Sequence, residues 1–217
     1  MKNFRIILAS NSPRRKELFA GLDIPFEVKV IQGIDESFPE PAYDTAQYIA
    51  VKKAQAYRPL LDSAISHQDT SINHQQPSDG NPELLILTAD TVVIAPSSEE
   101  QNDQEGKGII LGKPKDAADA SRMLEMLSGK THHVVTGVCI TSLEKQRQFS
   151  VVTEVTFKKL SKEEIDYYVG HYKPFDKAGA YGIQEWIGYI GCTSLKGSYF
   201  NVMGLPVQRI YEELKKF

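Results

Sequence analysis

One stretch restricts the fold of this chain more than any other: LLILTADTVVIA, residues 84–95, a run of apolar and β-branched residues interrupted by a single acid, Asp90. Its composition predicts a central strand or a strand-turn-strand unit. A membrane-spanning helix needs about 20 apolar residues, so this stretch is too short for one and carries a charge besides. Burying a lone carboxylate costs several kcal/mol unless it is paired or binds a metal. Asp90 is therefore either a functional acid inside a strand or a polar residue at the tip of a hairpin, and the functional role is preferred.

The rest of the chain is sized to bury such a strand. With 217 residues, 41% of them hydrophobic, it suits one sizeable domain or two small lobes. A formal net charge of -3 argues against a protein that coats nucleic acid and leaves room for a local basic pocket. The two cysteines, Cys139 and Cys192, lie in no close-spaced metal or redox motif, which fits a reducing, cytoplasmic setting. The first residues hold one short apolar run and no cleavable signal pattern. A soluble protein is expected.

Strands and helices alternate along the sequence. Residues 4–9 predict a buried strand that runs into a helix beginning near Ser12, with Pro13 in its first position. FEVKVIQG, residues 26–33, is β-like, and residues 41–57 read as a helix with Asp44 as N-cap. Residues 63–82 and 97–108 are polar and are expected as surface insertions, the second closing back on a short strand, IILG. A helix follows from Asp116 to Gly129, then two strands about a turn at Glu144 and Lys145. Ser161 and Glu164 form a capping-box pattern. Two short strands are predicted within residues 186–193, and LPVQRIYEELKKF closes the chain as a helix.

Four constellations could carry chemistry. Ser10, Ser12, Arg14 and Arg15 surround a helix N-terminus, whose open N–H groups and partial positive charge repel cations and attract phosphate. The bland alternative, a solvated helix end, has even weight. Asp35 and Glu36 could join Asp90 in holding Mg²⁺ through hard oxygen ligands. Lys53 and Lys113 could clamp a triphosphate, although a lone lysine is more often solvated. Finally, DKAGAYGIQ permits close backbone approach, and the amide of Gln184 can donate and accept toward a uracil or thymine ring. Histidines 67, 74, 132, 133 and 171 show no metal spacing and are read as surface or structural.

Taken in order, ASNSPRRKELF, GIDE, LTADTVV, LGKP, KAGAYGIQ and GSYFNVMGLP resemble the Maf family of nucleoside triphosphate pyrophosphatases. The resemblance implies an α/β fold of the inosine-triphosphatase-like type, an elongated mixed β-sheet flanked by helices with two lobes around a cleft. It treats residues 1–217 as a single domain carrying the polar insertions near 63–82 and 97–108. It also implies hydrolysis between the α- and β-phosphates with a divalent cation, Mg²⁺ first and Mn²⁺ second. Asp90 would be the general base or a metal-holding carboxylate, and Glu36 would help with the metal. Ser10, Arg14, Arg15, Lys53 and Lys113 would hold the phosphates. Arg14, Thr91 and Gln184 are similar to the branch acting on dTTP and UTP, whereas a sister branch acting on 7-methyl-GTP differs there. The expected partner is the nucleotide, with no nucleic acid or membrane, and a homodimer is left open. A non-catalytic nucleotide-binding regulator, in line with the family's association with septum formation, is the alternative; it would not need Asp90.

Overall fold

The computed structural model describes residues 4–38, 44–66, 82–97 and 108–217. Its elements are β1 (Phe4–Leu8), α1 (Pro13–Ala20), β2 (Phe26–Val28), α2 (Thr45–Ala56), α3 (Arg58–Ser66), β3 (Glu83–Ala95), β4 (Ile109–Leu111), α4 (Ala117–Leu127), β5 (Thr131–Thr141), β6 (Gln146–Phe157), α5 (Lys162–Tyr172), α6 (Trp186–Gly191), β7 (Cys192–Lys196), α7 (Tyr199–Met203) and α8 (Val207–Leu214). Seven strands form one mixed sheet in the order β2-β1-β3-β5-β6-β7, with β4 paired to β3 off that path. This is the flanked, mixed α/β sheet that the family resemblance implies.

β3 is a single uninterrupted strand, so Asp90 does not sit at a hairpin tip. One edge of β3 is paired with β5 from Ile86 to Ile94. The other edge changes partner along its length. β1 runs parallel to it as far as Leu87, and β4 joins antiparallel only from Val93. Between them, residues 88–92 have no strand on that edge among the described residues, and Asp90 lies at the middle of the gap.

One face of β3 serves two separate cores in succession along its length. Leu85, Leu87 and Ala89 pack with α1 and α8 in one core, whereas Val93 and Ala95 on the same face pack with α4, α5 and α6 in another. Thr91 falls between them and faces Thr136 of β5, so a polar pair marks the seam. On the opposite face, Ala46, Ala50 and Ala54 of α2 are buried against the sheet. Gly137, directly across from Asp90 on β5, allows this close approach, because a Cβ there would lie 2.2 Å from the backbone nitrogen of Gln47.

Several local expectations hold. Ser12 caps α1 by accepting from the backbone N–H of Arg15, Asp116 caps α4, and Ser161 with Glu164 completes a capping box on α5. Others need correction. Asp44 occupies the N-cap position of α2 but makes no capping hydrogen bond. Only residues 26–28 of FEVKVIQG are strand. The expected insertion at 63–82 begins inside a helix, since α3 runs to Ser66; residues 67–81 and 98–107 lie outside the described residues. The two strands predicted within 186–193 are instead α6 followed by β7. WIGYIG has β-like composition, but Ile187 and Gly191, four apart, are the pair it buries, and that is a helical repeat. α7 was missed altogether; Ser198 caps it and Gly204 ends it in a left-handed conformation. Among the described residues no helix is long and apolar enough to cross a membrane.

Two buried ionisable groups tie the fold to pH. Burial alone would raise the Glu213 carboxyl, but the Lys216 and Arg147 cations outweigh it and hold it down to about 2. His132, fully buried, is pushed down to about 3 by desolvation and then by His133. Both native values lie below the unfolded ones, so the unfolded chain binds more protons in acid and the stability is lost as pH falls. The urea midpoint should therefore decline from pH 6.5 toward pH 3, and His132→Gln should flatten that decline without affecting the midpoint's dependence on Glu213; a midpoint constant over this range would refute both assignments. Gly137→Ala should also destabilise the fold, by about 1–3 kcal/mol in chemical unfolding, because α2 must move off the sheet.

Candidate active site

The gap in the β3 edge opens into a cleft of about 470 Å³. Ser10, Arg14, Arg15, Glu36, Lys53, Asp90, Thr91, Lys113 and Gln184 all line it, whereas Asp35, the other acid considered for a metal, does not. They arrive from separate elements. Ser10 and the arginines come from the β1-to-α1 turn, Lys53 from α2, Lys113 from the exit of β4, and Gln184 from the loop after α5.

Asp90 and Thr91 are consecutive on a strand and so point to opposite faces of the sheet. Asp90 meets α2, where its Oδ1 lies 2.7 Å from Lys53 Nζ. The same ammonium is 3.0 Å from Glu36 Oε1. Lys53 and Asp90 retain only 14% and 15% of their side-chain exposure, so this pair is shielded from solvent screening in a way that surface pairs are not. Asp35 takes no part. Its carboxylate turns to Lys52 and Ser37, whose hydrogen bonds hold it well below the usual carboxylate range.

Thr91, on the other face, meets Arg15. The Arg15 guanidinium donates from Nε to the Gly204 carbonyl at 2.8 Å, from Nη1 to the Ala89 carbonyl at 2.9 Å and from Nη2 to Thr91 Oγ1 at 3.0 Å. The Ala89 carbonyl lies in the unpaired stretch of β3, so Arg15 satisfies an acceptor that a neighbouring strand would otherwise take. Burial disfavours its charge, while Asp90 and Glu36 favour it and Arg14 opposes it. Arg15 is thus a tie between α1, β3 and the end of α7 as well as part of the cleft wall. This also accounts for GSYFNVMGLP: Asn201 of α7 donates to the Val134 carbonyl and to Thr153, and Gly204 turns its carbonyl to Arg15.

Arg14 crosses the cleft instead. Its Nη1 lies 2.6 Å from Asp176 Oδ2. Burial would raise the Asp176 carboxyl, but Lys177 and Arg14 together hold it down to about 2. Lys177, itself on the cleft wall, passes this charged chain on to Glu185 and Tyr168 behind it, and none of the three was singled out in the sequence. The acid Asp176 directly before the lysine that opens KAGAYG was the available signal. Ser10 is buried, its Oγ accepting from the Ser12 N–H at 3.2 Å. Lys113 is exposed, and the backbone beside it is held by a Gly179 N–H to Gly112 carbonyl bond of 3.0 Å. Gln184 Oε1 is buried with no hydrogen-bond partner among the described residues.

No group of three or more metal-ligating side chains occurs among the described residues. Glu36 and Asp90, which both meet the Lys53 ammonium, are the type of donor suited to a hard divalent cation that takes one or two protein carboxylates and completes its shell with substrate phosphates and water. The donor set therefore suits an ion arriving with a phosphate substrate better than a permanent protein cage.

The chain is similar to named proteins along its whole length. A "dTTP/UTP pyrophosphatase" of Phocaeicola vulgatus is 52% identical over 218 aligned residues, covering 100% of this chain and 97% of the relative. Proteins of the same name from Porphyromonas gingivalis and Parabacteroides distasonis are 49% and 47% identical, each across 100% of this chain and 96% and 98% of their own length. The family model described as Maf-like protein matches residues 5–217, a span that includes both cores, the seam between them and every residue lining the cleft. The chain belongs to the Maf-like protein family.

Proposed function

We propose that this chain hydrolyses dTTP and UTP between the α- and β-phosphates, releasing the nucleoside monophosphate and pyrophosphate. Full-length relatives named for that activity support it, and the observation that carries it is the pairing of Asp90 with Lys53 in the gap of β3, in a cleft rimmed by cations. An acid held beside a cation is what a hydrolase needs and a purely binding regulator does not.

The residues divide the work by charge. Arg14, Lys113, Ser10 and the open end of α1 would hold the phosphate chain through charge-assisted hydrogen bonds. Arg15, with three of its donors already engaged, would present its remaining N–H groups from a fixed position. Glu36 and Asp90 would hold Mg²⁺, or Mn²⁺ in its place, which when bound neutralises charge on phosphate oxygens. Asp90 would also orient a water and accept its proton. The water oxygen forms a new bond to the α-phosphorus as the bond from that phosphorus to the bridging oxygen breaks, and pyrophosphate departs with the electron pair. Lys53 stays beside Asp90 and stabilises the charge that builds up.

Base choice would fall to Gln184, aided by Arg14 and Thr91. Its unpartnered Oε1 supports this, because a buried acceptor without a donor is costly unless a ligand supplies one.

Asp90→Asn should lower turnover of dTTP by about 10²–10⁴ while leaving nucleotide binding within about tenfold, as read by pyrophosphate release and by calorimetry with the same variant. Release of single phosphate by the parent, or full turnover by the variant, would refute the reaction. Gln184→Glu should weaken the preference of the protein for UTP over CTP; a parent that turns over every nucleotide in a panel equally would already refute a base-reading role.

A further inference from the structure

Arg14 is carried by α1, which packs in one core, and Asp176 by the loop that follows α5 of the other, so their ion pair spans the seam between the two. The pair does not end there. Asp176 Oδ1 takes Lys177 Nζ at 2.8 Å, and that ammonium lies 3.0 Å from Glu185 Oε1. The other oxygen of Glu185 accepts the hydroxyl hydrogen of Tyr168, and the Tyr168 oxygen accepts the backbone N–H of Gly182 at 3.0 Å. Both carboxylates use both oxygens, and the phenol both donates and accepts.

Such a chain is more than packing requires. Lys177 and Tyr168 are buried, and apolar residues of similar volume would fill the same space without the desolvation of a charge. What a fully satisfied polar chain adds is one defined arrangement. The loop is also fitted to it, since a Cβ on Gly182 would lie 2.9 Å from Glu185 Cδ and 3.1 Å from Lys177 Cε. Gly182 stands two residues before Gln184, so one end of the chain holds the segment that carries the base-facing amide and the other holds Arg14.

An amide is an ambiguous reader. By turning over, the same side chain can offer a donor to the O4 acceptor of uracil or an acceptor to the N4 donor of cytosine. Selection between them therefore depends on how firmly the amide and its backbone are held, not on the amide alone. We propose that Tyr168, Glu185, Lys177 and Asp176 are positioning residues that set base selectivity, by fixing the Gln184 segment relative to Arg14 across the seam. This rests on the nucleotide-hydrolysis function proposed above.

The test compares kcat/KM for UTP and CTP in the full chain, its Tyr168→Phe and Glu185→Gln variants, and Gln184→Glu as reference. Both chain variants should reduce the UTP-to-CTP ratio about tenfold, with KM for UTP rising more than kcat falls. A merely structural role would lower the thermal midpoint and reduce both substrates equally; an unchanged ratio in a folded variant overturns the proposal. If Tyr168→Phe does not fold, Glu185→Gln at its partly exposed position decides alone. A selective parent whose selectivity is lost in Gln184→Glu but kept in both chain variants overturns this proposal and leaves the base reader standing. A parent that does not distinguish UTP from CTP overturns both.

Discussion

The structure depends on a strand that outlasts its neighbour. β3 is held along one edge by β5, but on the other β1 stops at Leu87 and β4 begins at Val93. Open α/β sheets place ligands where strand connections diverge, and here the divergence happens along a single strand. Everything catalytic follows from that interval. The acid projects from its middle to one face, the hydroxyl of Thr91 to the other, and the backbone carbonyl of Ala89 is met by Arg15 in place of a strand.

The electrostatics of the cleft are balanced before any nucleotide arrives. Lys53 lies between Asp90 and Glu36, and Arg14 lies against Asp176. The crowding of Arg14, Arg15 and Lys16 at a helix N-terminus, unfavourable by itself, is thereby offset for Arg14 by an acid from the other lobe. A triphosphate would therefore meet cations already held in place by acids, adding its oxygens to Arg14 and Lys113 while Lys53 stays beside Asp90.

Much of this was legible in the sequence, for identifiable reasons. Asp90 stood out because a carboxylate in an apolar run has few bland explanations, and the capped starts of α1, α4 and α5 stood out because capping is local chemistry. Long-range effects were hidden. WIGYIG reads as strand until its burial against the α4 and α5 core is known, and nothing in FEVKVIQG tells that only its first residues pair. Arg15 looked like a twin of Arg14, yet its partners are main-chain oxygens from Ala89 and Gly204 that no local pattern announces. Lys177, Glu185 and Tyr168 were silent for the same reason: each is ordinary alone, and only the fold joins them.

The length of β3 has one more consequence. At about 3.3 Å per residue, its 13 residues span roughly 40 Å, and Asp90 lies well inside both ends. Extra residues at either end leave the pairing with β5 untouched, so sequence length there can drift. A single insertion or deletion inside the strand is another matter, because it would exchange the faces of Asp90 and Thr91, sending the acid toward Arg15 and the hydroxyl toward Lys53. The strand is permissive at its margins and intolerant of a one-residue frame change at its centre, which confines heritable length variation to the margins.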